Sequence, residues 1–191
     1  MKHRSLAEDI DHILADEAEL DGIVTRLARE IDEVYRESER EPVLLCILKG
    51  STVFTGELMK KLKTPVELEF MRVSSYGAGT ESTGEIRVLY DIGQESCAGR
   101  DILVVEDIID TGVTLSRLVP YLRGKGARSV RTVTLLDKPE RRRVEFEADF
   151  SGKRIPDEFV VGFGLDYNER YRQLPYVGVL KREIFDTSEK M

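Results

Sequence analysis

Tryptophan is absent from this 191-residue chain, and histidine and cysteine occur only twice each. Two cysteines, Cys46 and Cys97, do not make a disulfide scaffold, and Cys46 sits in a strand-like run as a small core residue. Both histidines, His3 and His12, lie in the N-terminal arm, so neither a His-based triad nor a His metal cluster is available; any catalysis falls to carboxylates. Long hydrophobic runs are missing too. The longest, Val43 to Leu48, has six residues, far short of the ~20 that span a membrane, which excludes a membrane partner. Met1-Lys2-His3-Arg4 leads into acids rather than an apolar stretch, unlike a secretory leader, so a reducing cytoplasm is the expectation. A basic excess is lacking as well: 29 Lys and Arg against 36 Asp and Glu leave a net charge of −7. That argues against a nucleic-acid partner, and it means that a phosphate substrate needs local positive charge or a metal. The one basic run, Arg141-Arg142-Arg143, reads as a solvated face.

What is present fits one domain with a sizeable core: 41% hydrophobic and 34% charged residues. Leu20, Ile23, Val24, Leu27, Ile31 and Val34 form an apolar stripe that predicts an amphipathic helix from about Asp16 to Ser38. Val43 to Leu48 predicts a buried strand, Gly50 and Ser51 open a second helix, and Val66 to Val73 is a further strand. Ser74 to Gly84 is rich in Ser, Gly and Thr, a long loop of the functional kind. Ile86 to Tyr90 pairs back antiparallel. Strands at Ile102–Val105, Val130–Leu136, Phe159–Phe163 and Tyr176–Leu180 complete the pattern. Pro120 should kink or shorten the helix after Thr114. Strands alternating with helices predict an α/β fold with a central, mostly parallel sheet. The last third, about 145–191, breaks that rhythm and with the N-terminal arm predicts a small hood.

The most informative stretch is Val104 to Thr114. A buried strand hands over to a helix marked by Leu115, Leu118, Val119 and Leu122, and three acids with a Thr-Gly-x-Thr turn sit at the junction. Ligands of open α/β sheets bind at the carboxyl ends of strands, and free N–H groups at a helix N-terminus bind anions. No lysine lies between Asp101 and Tyr121, so this is not a Walker-type nucleotide loop. The amides and hydroxyls of Asp110 to Thr114 suit a single phosphate. Glu106 and Asp107, acceptors only when ionised, suit the two hydroxyls of a ribose, and Asp110 is left for a third group. Each acid taken singly reads as a loop acid or a helix cap; the set reads as a phosphosugar site.

Val104-Val105-Glu106-Asp107-Ile108-Ile109-Asp110-Thr111-Gly112 resembles the phosphoribosyl-pyrophosphate motif of type I phosphoribosyltransferases, the hypoxanthine-guanine branch most of all. Leu48-Lys49-Gly50 resembles that family's pyrophosphate loop, and Ser74-Ser75-Tyr76-Gly77 the start of its mobile lid. Phe159-Val160-Val161-Gly162, with Leu165-Asp166-Tyr167-Asn168-Glu169, resembles its purine pocket. The four segments keep the family's order from about Leu44 to Leu180.

The resemblance implies a single phosphoribosyltransferase domain over 1–191, with a lid at about 74–84. It implies purine salvage: hypoxanthine or guanine and 5-phosphoribosyl 1-pyrophosphate become inosine or guanosine monophosphate plus pyrophosphate. Residues Glu106, Asp107, Ile108, Ile109, Asp110, Thr111, Gly112, Val113 and Thr114 would hold the phosphosugar, with Asp110 as the catalytic base. Lys49, Gly50 and Arg172 would hold pyrophosphate, with a cis peptide before Lys49. Phe159 would stack on the purine, Val160 would present backbone groups to it, and Lys138 would read its 6-oxo group, which adenine lacks. Asp166 would serve the purine pocket and, with Glu106 and Asp107, magnesium. Ser75 and Tyr76 would edge the lid. A homodimer or homotetramer is the implied assembly. The alternatives are a phosphoribosyltransferase for xanthine, uracil or adenine, a synthetase-like relative that transfers pyrophosphate, and a nucleotide-sensing regulator that binds RNA.

Overall fold

The computed structural model describes residues 5–75 and 86–186. Tyr76 and most of the expected lid lie outside the described residues, and Ser75 ends a strand without a described side chain. Strand β1 (Ile10–Ala15) precedes helix α1 (Glu17–Tyr35). Strand β2 (Val43–Ile47), helix α2 (Thr52–Lys61) and strands β3 (Glu67–Ser75) and β4 (Ile86–Tyr90) follow. After the short α3 (Gln94–Cys97) come β5 (Asp101–Ile109), α4 (Val113–Gly124) and β6 (Ser129–Asp137). Strands β7 (Phe150–Arg154), β8 (Val160–Val161) and β9 (Val177–Leu180) lead to α5 (Arg182–Phe185).

Six strands make the main sheet in the order β4-β3-β2-β5-β6-β7, and only β4 runs antiparallel to its neighbour. A second sheet, β1-β9-β8, forms the hood. The broken rhythm of the last third therefore splits: Phe150–Arg154 extends the main sheet beside β6, and only the later strands join the hood.

The core follows the predicted stripes with small differences. Leu20, Val24, Leu27 and Ile31 of α1 are buried, whereas Val34 is 41% exposed and Tyr35 takes the inward place one residue on. Asp16 caps α1 by accepting from the Glu19 N–H at 2.9 Å, and acids in the first turn suit the helix dipole. Cys46 is fully buried in β2, as a core cysteine should be. Helix α4 runs through Pro120 to Gly124 and is not shortened there. Strand β8 is two residues long, not the five expected from Phe159 to Phe163, because Gly162 and Gly164 adopt positive φ and turn the chain away. No helix among the described residues is long and apolar enough to cross a membrane.

The largest departure from sequence reading is in β5. Expected to end at Val105, it continues to Ile109, so Glu106 and Asp107 lie on the strand and only Asp110 to Gly112 form the loop. Pairing with β6 holds this extension, Ile108 opposite Leu136 and Ile109 opposite Asp137. The strand's alternation also changes phase at the acidic pair. Leu103, Val105 and Ile108 join the core cluster under α1 and α2, while Ile102, Val104 and Ile109 join the cluster under α4. A regular strand would keep odd and even residues on opposite faces throughout.

Candidate active site

Gly50 and Ser51 sit between β2 and α2 and meet the acidic pair directly. The Ser51 hydroxyl, fully buried, donates to Glu106 Oε2 at 3.2 Å and accepts from the Asp107 N–H at 3.1 Å. A Cβ on Gly50 would fall 1.7 Å from Asp107 Oδ2. A Cβ on Gly164, where φ is +103°, would fall 2.0 Å from the Gly50 carbonyl oxygen. At Gly164 the close contact is backbone on backbone, which at this φ only glycine permits, whereas at Gly50 it is with the Asp107 side chain. The Leu48–Lys49 peptide is cis, as the resemblance implied.

Burial raises the Glu106 carboxyl well above the usual range; the neighbouring Asp107 charge raises it further, and Ser51 pulls it back. Burial lifts Asp107 to about 6, against the lowering effect of the N–H of Ile108, which donates to its Oδ1 at 2.9 Å. A folded-state value above the unfolded one means that the native state binds the proton more tightly. Ionised Asp107 therefore destabilises the free protein increasingly as pH climbs from the ordinary carboxyl range through about 6. We expect Asp107→Asn to raise the Tm by about 2–4 °C near pH 7.5, on the order of 1 kcal/mol. The gain should vanish near pH 4. Melting curves across that interval check it, and an unchanged Tm at the higher pH would count against the burial cost.

Beyond Ile109 the loop is gripped by the basic run. Arg142 donates to the carbonyls of Asp110 at 2.6 Å and Ile109 at 3.1 Å, and pairs with the carboxylate of Asp137. The Arg143 N–H donates to the Thr111 carbonyl at 3.0 Å, and Arg141 Nε to Asp110 Oδ1 at 2.9 Å. The expectation of a solvated face fails for Arg142, whose side chain is only 16% exposed. Gly112, at φ +77°, turns the loop into α4 against the Arg142 side chain, and Val113 and Thr114 open that helix. The first amides of a helix are unpaired donors, fit for an anion.

The two cations expected near pyrophosphate meet at one acid. Lys49 Nζ lies 2.9 Å from Glu169, and Arg172 lies 3.4 Å from the same carboxylate, 2.8 Å from Asp166 Oδ1 and 2.7 Å from the Gly164 carbonyl. Asp166 Oδ2 accepts from the Glu169 N–H at 2.9 Å. Glu106, Asp107 and Asp166 do not form a ready-made cage: among the described residues no three His, Cys, Asp or Glu side chains cluster as metal ligands.

Lys138 is buried at the end of β6; its N–H bonds to the Ile109 carbonyl at 2.9 Å and its Nζ donates to the Glu158 carbonyl at 2.6 Å. Burial lowers its pKa, against the raising effect of Asp110. Phe159, 39% exposed, meets Tyr167 edge-on at 5.6 Å and stacks on Phe185 at 4.7 Å. Val160 is buried in β8. Glu169 lay within the segment resembling the purine pocket but without a role of its own, and Ser51 and Phe185 carried no functional signal in the sequence; tertiary neighbours mark all three.

A mostly parallel sheet with an acidic pair and a helix-opening loop at the carboxyl end of its central strand has the architecture of an α/β protein that binds its ligand at that edge. A family model for the phosphoribosyl transferase domain matches residues 9–168, and the chain belongs to that family. It is 50% identical over 183 residues to the bifunctional protein TilS/HprT of Listeria monocytogenes (serotype 4b), covering 96% of this chain but 28% of that protein. It is 46% identical to the hypoxanthine-guanine phosphoribosyltransferase of Bacillus subtilis, covering 98% of this chain and 99% of that one. A crystal structure of a hypoxanthine phosphoribosyltransferase from Staphylococcus aureus superposes with a TM-score of 0.89 at 42% identity, covering 97% of this chain and 100% of that one.

Proposed function

We propose that the protein transfers the 5-phosphoribosyl group of phosphoribosyl pyrophosphate to hypoxanthine, guanine or both, with magnesium. The observation that carries this reading is the Glu106–Asp107 pair stitched to Ser51 and pressed against Gly50, between the Asp110–Thr114 loop and the Lys49–Arg172 pair. The names of the relatives support it.

In this reading the amides and hydroxyls of Thr111 to Thr114 take the 5-phosphate, and Glu106 and Asp107 hold the ribose hydroxyls and fix the sugar. The C1–O bond to pyrophosphate breaks with its electrons leaving on oxygen, the purine nitrogen's lone pair forms the new C1–N bond, and Asp110 takes the purine's N7 proton. The sugar is oxocarbenium-like between these events. Lys49 and Arg172 leave Glu169 for the departing pyrophosphate. Asp166, with Glu106 or Asp107, would hold magnesium together with the diphosphate, and the ion would supply further positive charge there. Lys138 donates to the 6-oxo group and Phe159 stacks on the ring.

Incubating the protein with magnesium, phosphoribosyl pyrophosphate and each of hypoxanthine, guanine, xanthine, adenine and uracil tests the reading. Nucleotide should form from hypoxanthine or guanine and not from adenine or uracil. Product from adenine or uracil alone, or from no base, would end it.

A further inference from the structure

Resting on that reading, we propose that Arg141 is a positioning residue: it aims the Asp110 carboxylate at the purine and ties it to the purine wall. The geometry is a chain of charges. Arg141 Nε lies 2.9 Å from Asp110 Oδ1, and its Nη1 lies 3.6 Å from Asp157 Oδ2. The other oxygen of Asp157 lies 4.0 Å from Lys138 Nζ. One guanidinium therefore joins the phosphosugar loop to the segment that carries Glu158 and Phe159, and beyond it to the lysine facing the purine. A planar fork spans two carboxylates at fixed angles in a way that a single ammonium does not.

The aim of this side chain is built by its neighbours. Arg141 ends a short 3₁₀ turn, Pro139–Arg141, closed by its N–H on the Lys138 carbonyl at 3.2 Å. Arg142 and Arg143, the next two residues, both bond the loop 109–111. Backbone on both sides of Arg141 is thus fastened to the site. Stability does not explain the contact: both side chains are more than two-fifths exposed, and exposed ion pairs contribute little. Holding a flexible acid in one place is worth much more to turnover than to folding.

A double-mutant cycle on kcat tests this, because a residue that acts through another loses its effect when that other is gone. Arg141→Met should lower kcat by about tenfold, with the KM for phosphoribosyl pyrophosphate changed less than about twofold. Arg141→Lys should recover part of the loss, and it carries the test if the Met variant does not fold. In an Asp110→Asn background, Arg141→Met should cost nothing further. An equal loss in both backgrounds, or no loss in the single variant while Asp110→Asn is impaired, overturns the proposal alone. Full turnover by Asp110→Asn removes the catalytic role of Asp110 itself, and Arg141 then has nothing to aim.

Discussion

Gly50→Ala is expected to lower kcat/KM for phosphoribosyl transfer about 100-fold or more while leaving the Tm almost unchanged. The new methyl would sit 1.7 Å from Asp107 Oδ2 and 2.7 Å from its Cγ. Both atoms belong to a side chain that can swing away, so the fold accommodates the change. The acidic pair does not, because Asp107 must leave the place from which, in the proposed reading, it holds the ribose. A displacement of about 1 Å in a positioning group is enough for an effect of this size. Gly164→Ala makes the contrast. Its methyl would meet backbone, the Gly50 carbonyl oxygen at 2.0 Å, at a residue held at φ +103°. Neither strain is relieved by a rotamer change, so that variant should lose stability and activity together. Steady-state kinetics with thermal melts separates the two. A Gly50→Ala enzyme of ordinary kcat/KM would show that Asp107 is not needed where it stands.

Asp110→Asn is expected to lower kcat by about 10²–10⁴, the range of a positioned general base, and to leave phosphoribosyl-pyrophosphate binding nearly unchanged. Asparagine keeps the shape of the side chain and an oxygen for the Arg141 N–H that now reaches Oδ1 at 2.9 Å. The loop also keeps its bonds from Arg142 and Arg143, which end on main-chain carbonyls of residues 109–111. Charge and basicity are therefore removed with little change in geometry. Kinetics and equilibrium binding of the sugar substrate, measured on the same preparation, check both halves. Turnover equal to that of the parent protein would take Asp110 out of the chemistry.

Legibility in the sequence tracked the range of the interactions. The stripe of α1, the buried run of β2 and the strand-to-helix passage around Glu106 are local patterns, and the structure has elements in all three places. Boundaries moved where tertiary pairing outweighed local signals. Polar Glu106 and Asp107 looked like the start of a turn, yet pairing along β6 carries β5 on to Ile109. Phe159 to Phe163 looked like a full strand, yet the positive φ of Phe163, Gly162 and Gly164 ends β8 at Val161. Within the exposed basic run only Arg142 turns inward, and a row of arginines carries no mark of the carbonyls one of them meets some thirty residues away.

The sequence by itself determined the class of sheet, the strand-to-helix loop at its edge, and the acids and cations available to it. Those follow from periodicity and from what each side chain can donate, accept or ionise, which are properties of short segments. Tertiary structure alone decided which groups touch: Ser51 on Glu106 across fifty-five residues, Gly50 beneath Gly164, Arg141 between Asp110 and Asp157, Lys49 and Arg172 on one carboxylate. Close approach depends on how the whole backbone stacks, and burial, which raises both carboxyls of the acidic pair, exists only once that stack has closed.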